Sequence, residues 1–424
     1  MRPLQRLPTL VGLGLGVGVV VLAIAFPLQG TADERTGPAT LPDRMASYSH
    51  LTGDVSDSPP GRAIALFQHG FGVELFDFPQ AIVVSADEDL YRRLDEAEDR
   101  AGPETQGDPA PMLLSPQGTH VAVGDHDTNR PDLAVVDLRT GRTSSYPLPE
   151  GRSVLPIAWS PDGSQVAYLF EQEQTNPYAG VPLGGSVGLL NVHTGEAAAL
   201  PGASDVRTAA FHPDGTELVL QHGKSAGGTL RVASLVDASA RIIDAGKRLL
   251  DGPAAWSPDG RLLATTRPDT CRFPELGPCA PVREISFVDA TGEGRPVPEP
   301  LELDAPGPNR VLGWTAPDEV VVLAGPSLTE VGHDPERWWL TAVPVDGREP
   351  RRLTWIPGGG QYGVGRFQLA SVLLPDVRVR EASGMDRGPW PAPLRFGTAA
   401  LSGMIAAALT SGVMKRRQRW NQSS

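Results

Sequence analysis

Residues 157–169 read Ile-Ala-Trp-Ser-Pro-Asp-Gly-Ser-Gln-Val-Ala-Tyr-Leu, and this stretch decides the fold. An apolar run ends in an aromatic residue, a Ser-Pro-Asp-Gly turn follows, and a second strand-like run comes directly after it. Proline presets φ near −65° at the second turn position and glycine accepts a positive φ. The pattern therefore predicts a tight β-hairpin.

The hairpin recurs along the chain. Copies of the turn begin at residues 115, 160, 212 and 257, with spacings of 45, 52 and 45 residues, and a degenerate fifth copy begins 58 residues later at residue 315. The turn positions that define the repeat are Pro116, Gly118, Pro161, Asp162, Gly163, Pro213, Asp214, Gly215, Pro258, Asp259 and Gly260. A third strand and a short fourth strand follow each hairpin, as at residues 133–137 and 143–148. Four short strands in about 45 residues are typical of a β-propeller blade.

The repeat predicts an all-β chain with one β-propeller over residues 61–380. We expect six four-stranded blades, with seven as the alternative. Residues 63–67 and 80–85 predict two strands of a degenerate first blade, and residues 367–379 predict one or two more. Because the ring must close, we expect the two ends of this region to complete one blade together.

The aromatic residue followed by Ser-Pro-Asp-Gly and a strand resembles the repeats of TolB-like and WD40-like propellers. The resemblance covers about residues 106–357, and it lacks the Gly-His and Trp-Asp pairs of true WD40 repeats. It implies the order of strands and turns found in a propeller blade, and it assigns no partner. Lysine occurs at only three positions while Ala, Gly, Pro and Arg are abundant, which suggests a bacterial coding sequence rich in G and C.

The N-terminal 30 residues predict a signal anchor. An apolar run from Thr9 to Phe26 contains no charge, follows Arg2 and Arg6, and is close to the roughly 20 residues that cross a bilayer. Retention is our prediction, and cleavage after Gly30-Thr31-Ala32 is the alternative. Residues 31–60, rich in Pro, Gly, Asp and Ser, predict a flexible stalk.

A linker over residues 381–395 precedes a second candidate span at residues 396–414, although its small and hydroxylated residues also allow a surface or packed helix. The basic residues Lys415, Arg416, Arg417 and Arg419 follow in a short tail, residues 415–424. By the positive-inside rule, a spanning helix here would place both termini in the cytoplasm and the propeller outside it, at the cell membrane.

The formal net charge of the chain is −13, but both ends are basic. Without the seven cations of residues 1–30 and 393–424, 30 Lys and Arg face 50 Asp and Glu, a formal charge of −20. Such a surface repels phosphate backbones, so we expect no nucleic-acid partner. The acidity also keeps an exported domain soluble.

Cys271 and Cys279 are the only cysteines, and the Pro- and Gly-containing loop between them allows the sulfurs to meet. We expect a disulfide, which agrees with export. A metal pair would need two more ligands, and the sequence near the pair offers no matching Cys or His spacing. No cofactor or metal is therefore predicted.

The sequence contains no recognisable catalytic constellation, and we expect a protein that is not an enzyme. Residues 223–227 match the Gly-x-Ser-x-Gly pattern but link two strands, whereas a nucleophile elbow runs from a strand into a helix. Asp125-His126-Asp127 is the best polar cluster. We interpret it as a solvated or capping loop, and a cation or catalytic site is the alternative. We interpret Trp338-Trp339 and Trp355 as residues that pack between blades, and a recognition patch is the alternative.

These observations predict a membrane-tethered, extracytoplasmic propeller that binds a protein, peptide or envelope component with its loop faces. The alternative is a propeller hydrolase or lyase with a polar cluster at the central channel. A sensor that passes ectodomain binding to a cytoplasmic partner is a third hypothesis.

Overall fold

A computed structural model of the chain describes residues 37–70, 79–177, 184–223, 229–246, 248–266, 284–302, 310–324, 337–357 and 364–423. Three predictions fall on residues outside this description. They are the disulfide Cys271–Cys279, the span Thr9–Phe26 and residues 224–227 of the Gly-x-Ser-x-Gly stretch.

Six four-stranded antiparallel sheets form the blades of a propeller, as the repeat predicts. In blades 2 to 6 the four strands follow one another across the sheet in chain order, whereas blade 1 combines strands from both ends of the propeller. Blade 1 joins β2 (Ala63–His69), β3 (Gln80–Ser85) and β4 (Tyr91–Arg93) to the late strand β25 (Val364–Leu369). Blade 2 contains β5 (Met112–Leu114), β6 (His120–Val123), β7 (Asp132–Asp137) and β8 (Arg142–Pro147). Blade 3 contains β9 (Ser153–Trp159), β10 (Gln165–Glu171), β11 (Ser186–Asn191) and β12 (Ala197–Ala199).

The remaining blades follow the same order. Blade 4 contains β13 (Val206–Phe211), β14 (Glu217–His222), β15 (Leu230–Ser234) and β16 (Ala240–Ile243). Blade 5 contains β17 (Leu249–Leu250), β18 (Leu262–Thr266), β19 (Glu284–Asp289) and β20 (Leu301–Glu302). Blade 6 contains β21 (Val311–Ala316), β22 (Glu319–Ala324), β23 (Arg337–Pro344) and β24 (Arg351–Pro357). A separate parallel pair joins β1 (Thr40–Pro42) to β26 (Arg378–Arg380).

The ring closes through β25, the inner strand of blade 1, which is supplied by the C-terminal part of the chain. It pairs antiparallel with β2, with Ala65 opposite Leu369 and His69 opposite Val364. The prediction that the two ends of the propeller complete one blade is confirmed. Closure leaves no inner sheet edge unpaired at this joint.

The recurrent turns share one geometry. The backbone N–H of Gly118, Gly163, Gly215 and Gly260 donates to the carbonyl of the first turn residue at 2.8–2.9 Å, and these glycines have φ values of +70° to +77°. Where the first residue is serine, its Oγ accepts the backbone N–H of the next strand's first residue, as Ser160 does from Gln165 at 2.9 Å. The proline and glycine of the motif therefore stand where their φ preferences are used.

The aromatic residue before the turn connects neighbouring blades. The indole N–H of Trp159 donates to the carbonyl of Leu113 at 3.0 Å, that of Trp256 to Ala210 at 3.2 Å, and that of Trp314 to Ala254 at 3.1 Å. Each acceptor belongs to the inner part of the preceding blade. Buried apolar side chains fill the spaces between blades, and burial decreases from β9, which is wholly buried, to outer strands such as β8, which is largely exposed.

The predicted stalk and linker are packed wherever the structure describes them. Residues 53–55 pair beside β4 of blade 1, and Arg44 forms a bridge with Trp355 of β24 in blade 6. Leu41, Met45 and Val55 are buried in the same segment. The composition of residues 31–60 predicts a flexible stalk, but the described part of this segment covers the outer edges of two sheets. Main-chain hydrogen bonds make these contacts, and such bonds leave no repeat in the sequence.

Two helices of the described residues lie outside the blades. The short helix α1 (Asp95–Asp99) connects blade 1 to blade 2, and the long helix α2 (Ala392–Ser423) ends the described chain. Two 3-10 turns occupy Pro103–Thr105 and Ser371–Asp376. α2 begins four residues before the predicted second span and continues through the basic tail.

Candidate functional site

The antiparallel topology divides the propeller into two ends. The turns between the first and second strands of each blade, and between the third and fourth, lie at one end, which we call the turn end. The other ends of the strands lie at the opposite end of the propeller, which we call the loop end. Loops on a rigid scaffold carry the binding residues of many proteins, so we expect a binding site at the loop end.

Asp125, His126 and Asp127 lie at the loop end, between β6 and β7 of blade 2. The Asp125 backbone pairs with Val154 of blade 3, and its carboxylate accepts the N–H of Asp127 at 3.0 Å. Asp127 forms an ion pair with Arg152. The Asp125 backbone and the Asp127 side chain thus hold the loop against blade 3, which agrees with the interpretation of this cluster as a capping loop.

His126 is buried beneath this loop. Its Nδ1 lies 2.8 Å from the hydroxyl of Thr175, and its Nε2 is buried with no hydrogen-bond partner. Burial, with Arg366 adding to the effect, lowers the pKa of His126 to about 4. The imidazole is therefore neutral at pH 7, and its unpartnered nitrogen is a polar group that a ligand or water could satisfy.

An open groove of about 600 Å³ lies outside this loop, between α1 and the outer strands of blade 2. This volume falls within the range of small-ligand and peptide sites. Its lining residues are Glu96, Arg100, Asp125, Thr128, Arg130, Pro131, Asp132, Ser145 and Pro147. The groove thus combines two cations, three carboxylates, two hydroxyls and two prolines, a set suited to recognition by polar contacts.

The charges in the groove differ in how far they are already satisfied. Arg100 donates to both carboxylate oxygens of Asp132 at 2.9 Å and to Glu96 at 2.6 Å. Burial raises the pKa of the Asp125 carboxyl above its ordinary value. Arg130 is exposed at the rim and has no ion pair among the described residues. Arg130 is therefore the cation through which the groove offers free donors to a partner.

Sequence reasoning found Asp125 but missed the opposite wall of the groove. Glu96 and Arg100 are four residues apart on α1, a spacing that pairs opposite charges on a helix. That spacing was the available signal. The approach of α1 to β7 and β8 could not be predicted, because it depends on how blades 1 and 2 pack.

More buried polar groups lie nearby at the loop end of blade 1. Gln68 donates to Asp108 at 2.9 Å, and its own carbonyl oxygen is buried without a partner. Arg366 of β25 donates to the carbonyl of Pro109 at 2.6 Å. Among the described residues, no group of three or more His, Cys, Asp or Glu side chains is arranged to hold a metal ion.

The tryptophans that the sequence singled out are separated by the structure. Trp338 is buried between blades 6 and 1, whereas its neighbour Trp339 points to the other face of the sheet and is half-buried. Trp339 lies directly opposite Trp355 in the ladder between β23 and β24. The packing interpretation therefore fits Trp338, and the other two indoles form a separate surface feature.

No protein-family model and no curated protein matches this chain. Solved structures with a similar fold include TolB from Acinetobacter baumannii, with a TM-score of 0.46 and 13% identity over 76% of this chain and 69% of that one. The putative TolB from Agrobacterium tumefaciens has a TM-score of 0.41 and 13% identity over 73% and 99% of the two chains. A chain of a nidogen/laminin complex has a TM-score of 0.42 and 10% identity over 73% and 99%. These likenesses concern the propeller fold alone, which the six sheets already define.

Proposed function

We propose that this chain is a membrane-anchored propeller that acts outside the cytoplasm and binds a protein, peptide or envelope component at its loop end. The observation that carries the proposal is α2, a long apolar helix that is attached to the edge of blade 1 and is largely exposed along its apolar segment. Cysteine labelling on the two sides of the membrane tests the proposal.

The surface of α2 supports insertion into a bilayer. The segment Pro393–Val413 has a mean hydropathy of 1.4, and only 11% of it is buried within the protein. Leu401, Met404, Ile405, Leu409 and Val413 are each more than half exposed. A monomer in water rarely leaves such a continuous apolar surface uncovered. A lipid bilayer would cover the apolar surface of α2 without a second protein.

Exposed indoles lie on both sides of this segment. Trp390, two residues before α2, is 45% exposed, and Trp420, near the end of α2, is 79% exposed. From Ala392 to Trp420, α2 extends over roughly 42 Å at 1.5 Å per residue, about the thickness of a bilayer with its headgroups. Tryptophan is enriched at both membrane interfaces, and the basic residues from Lys415 onward fit the cytoplasmic side.

α2 is attached to the propeller without a free linker. Arg395, in its first turn, is 2% exposed and forms an ion pair with Asp57, which belongs to the segment beside blade 1. Ala399 is also buried. A propeller fixed in this way would sit directly on the headgroup region instead of moving on a tether.

The attachment also gives the propeller an orientation. The backbone N–H of Asp386, six residues before α2, donates to the carbonyl of Asp89 at the turn end of blade 1. The backbone N–H of Val372 donates to Pro116 in the first Ser-Pro turn. Both contacts lie at the turn end, so the loop end, with the groove between α1 and blade 2, would face away from the anchor.

Cysteine labelling tests the topology. In a variant carrying Cys271→Ser and Cys279→Ser, a cysteine is introduced either at Ser239, an exposed turn position of blade 4, or at Gln422 in the basic tail. We expect a membrane-impermeant maleimide to label the Ser239→Cys variant in intact cells and the Gln422→Cys variant only after permeabilisation. Labelling in the reverse order, or protection of both cysteines, would contradict the proposed orientation.

Site-specific photocrosslinking tests the binding surface. A benzophenone amino acid replaces either Arg130 at the loop end or Asp237, an exposed residue at the turn end of blade 4. We expect a discrete crosslinked product from position 130 and none from position 237. Products of equal yield from both positions would remove the preference for the loop end.

A further inference from the structure

Trp339 and Trp355 form an indole pair on the outer strands of blade 6. They stand directly opposite each other in the antiparallel ladder of β23 and β24, and both are half-buried. Opposite residues of such a ladder lie about 5 Å apart on one face of the sheet. The two rings therefore present one continuous, partly exposed aromatic surface.

A guanidinium group lies over each end of this surface. Arg352 Cζ is 4.5 Å from the ring centroid of Trp339, and Arg44 Cζ is 5.9 Å from that of Trp355. Both arginines are exposed, and neither has an ion pair among the described residues. We call these four residues the Trp–Arg platform. Stacking on indole leaves the guanidinium N–H groups free to donate in the ring plane.

The platform lies at the outer mouth of the cleft between blades 5 and 6. Val343 is on the same face of β23 as Trp339 because side chains alternate along a strand. Val343 is buried in the core cluster that also contains Phe287 of blade 5. The platform continues this inter-blade surface outward, so it faces the neighbouring blade.

The charge of the platform is opposite to that of the molecule around it. The chain between its basic ends carries a formal charge of −20, whereas the platform contributes two cations that have no ion pair within the part of the chain that the structure describes. Trp and Arg are also the residue types that contribute most to binding energy at protein interfaces. An acidic partner would find a complementary site here and repulsion over most of the remaining surface.

We propose that the Trp–Arg platform binds an extended, acidic polypeptide segment of a partner protein. Carboxylates of the segment would pair with Arg44 and Arg352, and apolar side chains between them would cover Trp339 and Trp355. This site is separate from the groove at the loop end and does not depend on membrane anchoring.

Peptide binding to the full chain tests the proposal. The chain is placed in nanodiscs of phosphatidylcholine, and fluorescence anisotropy follows a labelled peptide in which Glu alternates with Leu. We expect saturable binding that weakens with salt. The double variant Arg44→Gln/Arg352→Gln should raise Kd about tenfold or more, which corresponds to about 1.4 kcal/mol. The control Arg142→Gln, an exposed arginine on β8, should leave Kd within about twofold.

Trp339→Ala should weaken binding as well, and thermal unfolding of each variant would separate loss of binding from loss of folding. The proposal is overturned if the wild-type chain does not bind the peptide, if a Gln-for-Glu peptide binds equally well, or if the double variant binds like the wild type. Displacement of the peptide by phosphatidylglycerol vesicles that themselves need Arg44 and Arg352 would assign the platform to lipid and would also overturn it.

Discussion

The two ends of this propeller differ in how regularly their hydrogen bonds repeat from blade to blade. At the turn end, the hydroxyl of Ser257 accepts the N–H of Leu262 at 2.8 Å and donates to Asp259 at 2.5 Å. At the loop end, the carbonyl oxygen of Gln68 and Nε2 of His69 and of His126 are buried without a partner. The same hydrogen-bonded turn recurs at the turn end, whereas the buried polar groups at the loop end differ from blade to blade.

The difference indicates where the molecule is free to vary. A turn that recurs in several blades only has to close a hairpin, so one motif serves for all of them. The connections at the loop end are not restricted to one motif, and loops of this kind carry the binding residues of many proteins. The comparison therefore supports the loop end as the functional end, and it can be tested by substitutions at each end.

The largest effect is expected at a turn that also contacts the closing blade. A Cβ added to Gly118 would lie 1.9 Å from the carbonyl oxygen of Ala63, whereas one added to Gly215 would have only a side-chain atom of Pro161 at 3.8 Å. Both glycines have positive φ values, +70° and +77°. We expect Gly118→Ala to cost about 3 kcal/mol and Gly215→Ala about 1 kcal/mol.

Thermal and urea unfolding, followed by the circular dichroism of the detergent-solubilised chain, would measure both costs. The matched pair separates backbone strain, which the two sites share, from the clash with blade 1. Equal losses would mean that the turns at the ring closure are no more constrained than those elsewhere.

The sequence was sufficient to predict the features that repeat. The Pro-Asp-Gly turns, the six four-stranded blades and the sharing of one blade by both ends of the propeller all follow from local preferences used several times. Each copy of the turn needs the same φ values, so errors in a single copy matter little. Trp159, Trp256 and Trp314 were recognised as part of the motif, although their inter-blade hydrogen bonds were not.

Features that occur once could not be predicted. The pairing of Arg44 with Trp355 joins residues at opposite ends of the propeller sequence through main-chain contacts, which leave no pattern in the residue types. The same holds for the groove, whose walls come from α1 and blade 2. Trp338 and Trp339 are adjacent in sequence, and only the direction of β23 decides which is buried.

A second substitution, at the loop end, tests the cost of a buried charge. Asp251 is 7% exposed at the inner strand of blade 5, and its carboxylate accepts the N–H of Val311 at 2.6 Å. Burial raises its pKa to about 7, against a weaker opposing effect of that hydrogen bond and of Arg310. Because the folded pKa lies above the unfolded one, this group makes the protein less stable as pH rises from about 4 to 7.

Asp251→Asn keeps an oxygen acceptor for Val311 and removes the charge. The variant should therefore gain stability over the wild type as pH rises, with little difference at pH 4 and a gain on the order of a few kcal/mol at pH 8. Urea unfolding of both proteins at several pH values measures the difference, in which other titrating groups cancel. A variant that is less stable than the wild type at pH 8 would show that the ionised carboxylate is well accommodated.

The smallest of these effects is expected for the indole hydrogen bonds at the turn end. Trp256→Phe removes the N–H that reaches Ala210 but keeps an aromatic ring in the core between blades 4 and 5. We expect a loss of about 1 kcal/mol, the usual contribution of one buried hydrogen bond, and similar losses for Trp159→Phe and Trp314→Phe. Blade 4 provides the natural reference, because Phe211 occupies the same position in its repeat and is equally buried without an indole N–H. Leu114 takes the same position in blade 2, so the ring tolerates more than one joint without this bond. If unfolding of Trp256→Phe is indistinguishable from that of the wild type, the indole contributes packing alone, and the turn end is held by its hairpins and apolar contacts.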